Sequence, residues 1–325
     1  MRDKKSLFGG KAMSEEFRIK AGRQMRIWKK DAIRSRYLLL MMSVPFVYLM
    51  IFHYRPIYGL QIAFKDFNPF LGMKDSPWVG FEHFIDFFQS EYFFRLIRNT
   101  LVISLTNLAF TFPLPIIIAL TINEISNRYF KKTVQTIIYL PHFISSVVVA
   151  GLVLSALSLR TGAVNQALSA AGAEQIDFMN NASFFPFIIA GADVWQGTGW
   201  ASIIYLAAMT GVDQSLYEAA VMDGASKWKQ ITNITIPAIL PTIIIQFILK
   251  VGQLFNVSFQ KILLLYNPRI YETADVISTY VYRRGLLGQE YSFGAAVGLF
   301  NNLVNLAMLL TFNYICKKTS ENSLW

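Results

Sequence analysis

Charge is scarce in this chain. Only 15% of its 325 residues are Asp, Glu, Lys or Arg, against roughly 25% in soluble globular domains, and 54% are hydrophobic. Water is therefore a poor solvent for most of it. The single cysteine, Cys316, excludes an internal disulfide and reads as a small apolar residue near a helix end. His53, His83 and His142 are the only histidines, and their separation gives no metal-ligand spacing. A phosphate-binding loop is also missing: Gly10-Lys11 has Lys5 where a glycine would stand five residues earlier, and Ala12 where a hydroxyl is needed. No catalytic residue, metal ligand or cofactor site emerges, so enzyme chemistry is not expected of this chain.

What is present is apolar length. A helix needs roughly 17 to 25 apolar residues to cross a hydrocarbon core, and six stretches are read as spans: 37–52, 100–122, 133–158, 184–209, 239–257 and 293–314. The fold class expected is an all-α membrane protein of six transmembrane helices. The net charge of +10 does not point to nucleic acid, because residues 1–36 alone hold twelve Lys or Arg against four Asp or Glu. Basic residues flanking a first span hold the amino terminus inside, where they can also meet anionic lipid of the bilayer. Arg128, Lys131 and Lys132 place the next loop inside too, whereas residues 55–98 balance five basic with five acidic residues and fall outside. Six spans then return Lys317 and Lys318 to the cytoplasm, so both termini are expected there. The basic leader is too long and the first apolar run long enough that no cleaved signal peptide is expected.

This divides the chain into a basic segment over 1–36, a first span with an external aromatic segment over 37–94, a core over 95–315 and a tail over 316–325. Trp78, Phe81, Phe84, Phe87 and Phe88 are expected at the headgroup level or packed on neighbouring helices. Pro113, Pro115, Pro141, Pro186, Pro237 and Pro241 fall inside spans. A lipid-embedded proline bends its helix where neighbours satisfy the freed carbonyl, which suggests a shaped cavity.

The stretch "LYEAAVMDGASKWKQITNITIPAILP" lies between the fourth and fifth spans, on the cytoplasmic side by the charge count. Ser215 with Glu218 three residues later has the pattern of a capping box. Ala219 and Ala220 leave a shallow flank, Asp223 and Gly224 interrupt the helix, Ala225 follows, and Pro237 marks the start of the next span. Small residues favour close approach by another protein, whereas a helix lying on lipid would set large apolar residues against a basic face.

These residues, together with Ile234-Thr235-Ile236-Pro237 and Pro241, resemble the "EAA" signature of the permease subunits of ATP-binding-cassette importers. "SPWVGFEHF" leading to "NTLVISL", and "LPHFISSVVVA" leading to "GAVNQAL", are similar to the carbohydrate-uptake branch of the type I importers. Ile236 stands where leucine is usual and Ile231 where phenylalanine is common. The resemblance implies that residues 218–230 form a coupling helix seated in a cleft of a separate ATPase. It also implies two permeases, two ATPases that hold the ATP and Mg²⁺, and an extracytoplasmic solute-binding protein. Its substrate implication is an oligosaccharide or polysaccharide moved inward by alternating access, and an acidic one such as an alginate oligomer would suit Lys250.

Gln246, Lys250 and Gln253, with Gln260 beyond, fall within an arc of about 80° on a helix continued through the fifth span, with Asn256 near its edge. A lysine inside a span costs roughly 2.5–3.5 kcal/mol on insertion scales and is a functional candidate, unless it pairs structurally with a carboxylate such as Asp193. The fourth span sets Asp193, Gln196, Gly197 and Trp200 on one face, mixing hydrogen-bond groups with an aromatic plate. Gly294 and Gly298 align with Asn301 and Asn305 in the sixth, on a face suited to helix packing or to a path. These three faces are expected to line the translocation path. The competing class is an ion-coupled secondary transporter or channel in which Lys250 and Asp193 form a relay; a membrane scaffold would leave the polar faces mutually satisfied and dry.

Overall fold

The computed structural model describes residues 34–320, so most of the basic segment and half of the tail lie outside the described residues. The chain forms two compact units that meet between Gln61 and Ile62, inside the segment expected over 37–94. In the first unit α1, Arg36–Leu49, contains Pro45 and has no buried residue. It runs on through a π-turn at Met50–Tyr54 and a 3-10 stretch at Arg55–Phe64, so the helical segment Arg36–Phe64 reaches twelve residues beyond the span expected to end at Phe52.

The second unit holds the remaining spans. Helix α2, Glu82–Gln89, buries Phe84 and Phe87, and Phe87 sits among the rings of Phe93, Phe293 and Phe300; Trp78, Phe81 and Phe88 stay exposed. Helices α3, Phe93–Thr111, and α4, Pro113–Asn123, join into one span of 31 residues. Pro113 can sit at that joint because the first turn of a helix needs no intrahelical donor. Asn127 caps α5, Arg128–Tyr139, accepting from the backbone amides of Tyr129 and Phe130.

The third span is not the straight helix expected over 133–158. A 3-10 turn over Leu140–Phe143 ends at extended backbone at Ile144 and Ser145, and α6, Ser146–Leu157, leaves at 99°. Pro141 fits the turn, and the Ser145 side chain accepts from the Val148 amide and starts a fresh helix. Beyond it lies a short helix, α7, Ala163–Ala170.

Helix α8, Phe185–Met209, is central: it packs on α3, α4, α5 and α6. Its 25 residues extend about 37 Å. Gly199 permits the approach of α5, since a Cβ there would collide with the Ile138 carbonyl. Next come α9, Gln214–Met222, and α10, Lys227–Gln230, which passes through a π-turn at Ile231–Thr235 into α11, Ile236–Val251. The wide turn lies just ahead of Pro237, where the chain lacks a donor. The fifth span thus begins at Lys227 and ends at Val251, not at Val257. Irregular backbone leads to α12, Phe259–Leu265; α13, Ile277–Val281, and α14, Tyr291–Ser320, complete the unit.

Among the described residues, four helices are long and apolar enough to cross a bilayer, and the bent pair makes a fifth. Helix α8 has the length of the sixth but carries the polar face of Asp193 and Gln196. One core cluster gathers Ile103, Phe185, Ile189 and Ile262, another Leu96, Leu254, Phe255 and Phe293. Between α12 and α14, fully buried Asp275 accepts both guanidinium nitrogens of Arg283, at 2.9 and 2.7 Å, and the Thr279 hydroxyl at 2.8 Å. The Asp275 carboxylate raises Arg283 further above the ordinary guanidinium range. The amide of Asn99 in α3 donates to the Asp275 carbonyl at 3.0 Å, so this segment is tied to the second span.

Candidate functional site

Asp193, on α8, is the centre of a buried polar cluster. Its carboxylate accepts from Asn107 of α3, from the ammonium of Lys261 on α12, and from the Ser258 hydroxyl at 2.6 Å. The side chains of Lys261 and Asp193 are 7% and 13% exposed, so the pair is almost dry and each charge needs the other. Lys250 does not take part: it is exposed and makes no ion pair among the described residues. The pairing of Lys250 with Asp193, and the relay built on it, are therefore not formed; α11 ends one residue beyond Lys250, and Lys261 from α12 occupies the place beside Asp193.

A cavity of about 380 Å³ lies against this cluster. Asp193, Gln196, Gly197, Lys250, Gln253 and Asn256 line it, but Gln253 and Asn256 arrive on irregular backbone after α11. The common helical face drawn through Gln260 fails with the helix; Gln260 lies on α12 outside this lining. Ser104 lines the cavity too, with a buried hydroxyl that has no hydrogen-bond partner among the described residues. A second cavity, about 520 Å³, lies one to two turns further along α8, with Trp200 and Gln246 in its wall. Thr111 and Lys250 line both.

Asn301 and Asn305 stand elsewhere. Their amides donate to Asn256 Oδ1 at 3.2 and 3.1 Å, and Asn305 Oδ1 accepts from the Phe255 amide at 3.0 Å. They pack α14 on the chain after α11 and line neither cavity. Gly294 likewise meets backbone, at Gly285, whereas Gly298 has open space around it. Trp200 is not a bare plate either, since the His142 ring stacks on it at 4.6 Å.

Sequence reasoning missed Lys261, Asn107, Ser104, Ser258 and His142. Signals existed: a lysine before the apolar run Ile262–Leu265, and Ser104, Asn107 and Thr111 on one face of a span.

The chain matches the family of binding-protein-dependent transport system inner membrane components over residues 111–315. It belongs to that family. The permease is 40% identical over 298 residues to Protein LplB of Bacillus subtilis (strain 168), covering 92% of this chain and 94% of that one. It is 42% identical over 293 residues to the polygalacturonan/rhamnogalacturonan transport system permease protein YteP of the same organism, covering 90% and 91%. Among solved structures it superposes with a TM-score of 0.83, at 45% identity over 91% of this chain and 99% of the other, on a bacterial ABC transporter involved in import of the acidic polysaccharide alginate. It also superposes, with a TM-score of 0.82 at 43% identity over 91% of this chain and 99% of the other, on a bacterial alginate ABC transporter in complex with an alginate pentasaccharide-bound periplasmic protein. The permease is thus a multi-pass inner-membrane protein of the type I importer fold, a transport component and not an enzyme.

In the permease the stretch 213–237 is built as a bent rod. Asp213, not Ser215, caps α9: its side chain accepts from the Ser215 amide at 2.9 Å, so the capping box expected with Glu218 does not form. That bond holds the Asp213 carboxyl below its ordinary range. Gly224 has φ +71°, and the amides of Gly224 and Ala225 donate to the carbonyls of Val221 and Ala220 at 3.0 and 2.8 Å, a Schellman stop that asks for glycine. Glu218, Ala219 and Asp223 are exposed, Ala220 and Ala225 half-buried. Gln230 Nε2 donates back to the Ala225 carbonyl at 3.0 Å, and Tyr217 shares a hydrogen bond with Thr235 at 2.8 Å. These bonds brace the two arms, and Pro237 follows where the rod enters α11.

Proposed function

We propose that this permease is one of two membrane subunits of an ATP-driven importer that moves an acidic oligosaccharide or polysaccharide inward by alternating access. The observation that carries the substrate is the charge balance of the first cavity. Lys261 neutralises Asp193, the ammonium of Lys250 on the wall has no ion pair among the described residues, and an unpaired cation inside a membrane protein calls for an anionic visitor. Hydroxyls of a sugar find partners in Gln253, Asn256 and the unsatisfied Ser104. The relatives named for polygalacturonan and alginate transport carry uronate polymers, in keeping with that charge.

Both termini lie in the cytoplasm, and the rod of residues 213–237 docks there on one of two separate ATPases, which hold ATP and Mg²⁺. Leu216, Val221, Met222 and Trp228 support this: they are 51–87% exposed on a short water-facing element, where apolar side chains mark a contact surface. A second permease covers the cavity face, and an extracytoplasmic binding protein delivers the solute.

The test is uptake into proteoliposomes holding the assembled complex with its binding protein. ATP-dependent uptake of alginate or galacturonate oligomers, with little uptake of maltopentaose, is the expected result, and Lys250→Met should abolish the preference. Uptake that persists without ATP and collapses with the ion gradient would overturn the reading.

A further inference from the structure

We infer that His142, on the elbow of the broken third span, is a solute contact held in place by Trp200 and Gln196; this rests on the acidic-glycan reading above. Three observations converge on it. The imidazole lies flat on the Trp200 indole, centroids 4.6 Å apart and planes 3° from parallel, while Phe143 meets the same indole edge-on at 5.6 Å. Gln196 Nε2 donates to the Ile144 carbonyl at 2.6 Å and satisfies a backbone oxygen that the bend leaves outside either helix. Two residues expected to touch solute are therefore spent on fixing the elbow.

What they fix is the third observation. His142 is exposed and lines the first cavity beside Lys250, and neither of its ring nitrogens has a hydrogen-bond partner among the described residues. Trp200, on the other side of the stack, lines the second cavity. The stack therefore stands at the junction of the two chambers, with Thr111 and Lys250. One face of the imidazole is used up by the indole, so its edge carries the recognition. An N–H there donates to a hydroxyl or carboxylate oxygen of a uronate unit, and the Lys250 ammonium supplies the charge. A sugar passing between the chambers meets this edge, and a merely structural stack would have no need of a polar ring.

The experiment uses the assembled complex in proteoliposomes, with Cys316→Ser as background and alginate pentasaccharide and oligogalacturonate as probes. His142→Phe keeps a ring on Trp200 and removes the donors; it should lower uptake of both probes about tenfold, and His142→Gln should restore much of it. In parallel, His142→Cys should react with a membrane-impermeant maleimide, and delivery of the pentasaccharide by the binding protein should slow that reaction severalfold. Should His142→Phe fail to assemble, the protection of His142→Cys decides. Unaltered uptake by His142→Phe, or maleimide labelling indifferent to solute, would reduce the stack to a brace and overturn this inference alone. Failure of the wild-type complex to take up either probe would overturn the acidic-glycan reading beneath it.

Discussion

Asp193 accepts from three side chains, Asn107 on α3 and Ser258 and Lys261 at the start of α12, so its removal is felt well beyond one helix. Asp193→Ala strands the Lys261 ammonium at a nearly dry site, a loss of about 3–5 kcal/mol by analogy with other buried pairs. The expected outcome is a clear drop in thermal stability of the purified complex. The double variant Asp193→Leu with Lys261→Met should regain much of the loss, because packing replaces a pair whose desolvation offsets most of its attraction. If the single and double variants melt together, the pair is not what holds α8 to α12. Lys250 behaves oppositely: it makes no ion pair among the described residues, so Lys250→Met should leave the melting temperature near wild type and change only what is transported.

The rod of residues 213–237 departs from regular helix at Gly224, and that departure has a local cause. At the rod, the positive φ of Gly224 costs an alanine roughly 1–2 kcal/mol and is unreachable for proline, whose φ is fixed near −65°. Gly224→Ala should therefore retain most solute-stimulated ATP turnover and Gly224→Pro should lose it while still inserting; equal turnover in both would remove the bend from the mechanism. The cap of the same rod is acid-sensitive. Asp213 has its carboxyl lowered by the Ser215 amide, so its contribution is complete above the ordinary Asp pKa of about 3.9 and lost as pH falls through the lowered value. Amide protection at the start of α9 should fall on acidification through that window in the wild type. In Asp213→Asn it should stay level, since the amide oxygen accepts the same bond at any pH.

For the whole molecule, the two cavities and the packing seams predict a pattern of solvent access. In a Cys316→Ser background, a cysteine at Gln253 should react with aqueous thiol reagents and one at Asn301 should not. Gln253 faces the first cavity, whereas Asn301 is turned toward Asn256. Reaction at Asn301 with none at Gln253 would move the path to the α14 face. Much of this arrangement was legible beforehand. Apolar lengths marked the spans, and Asp223-Gly224 marked the bend because backbone stereochemistry acts within a few residues. The elbow at Pro141, the early end of α11 and the partner of Asp193 were not legible. Each depends on which helices meet, and the fifth-span face drawn through Gln253 assumed a helix that packing had already stopped.

The sequence by itself determined the solvent, the glycine-centred bend and the family, since hydropathy and local φ preferences are written residue by residue. Only the tertiary structure decided which charges cancel. Lys261 lies 68 residues from Asp193 along the chain and Lys250 somewhat nearer, yet the break after Val251 brings the farther lysine to the carboxylate and leaves the nearer one facing the cavity. Pairing of ions is fixed by distance in space and by desolvation, and neither is a property of separation along the chain.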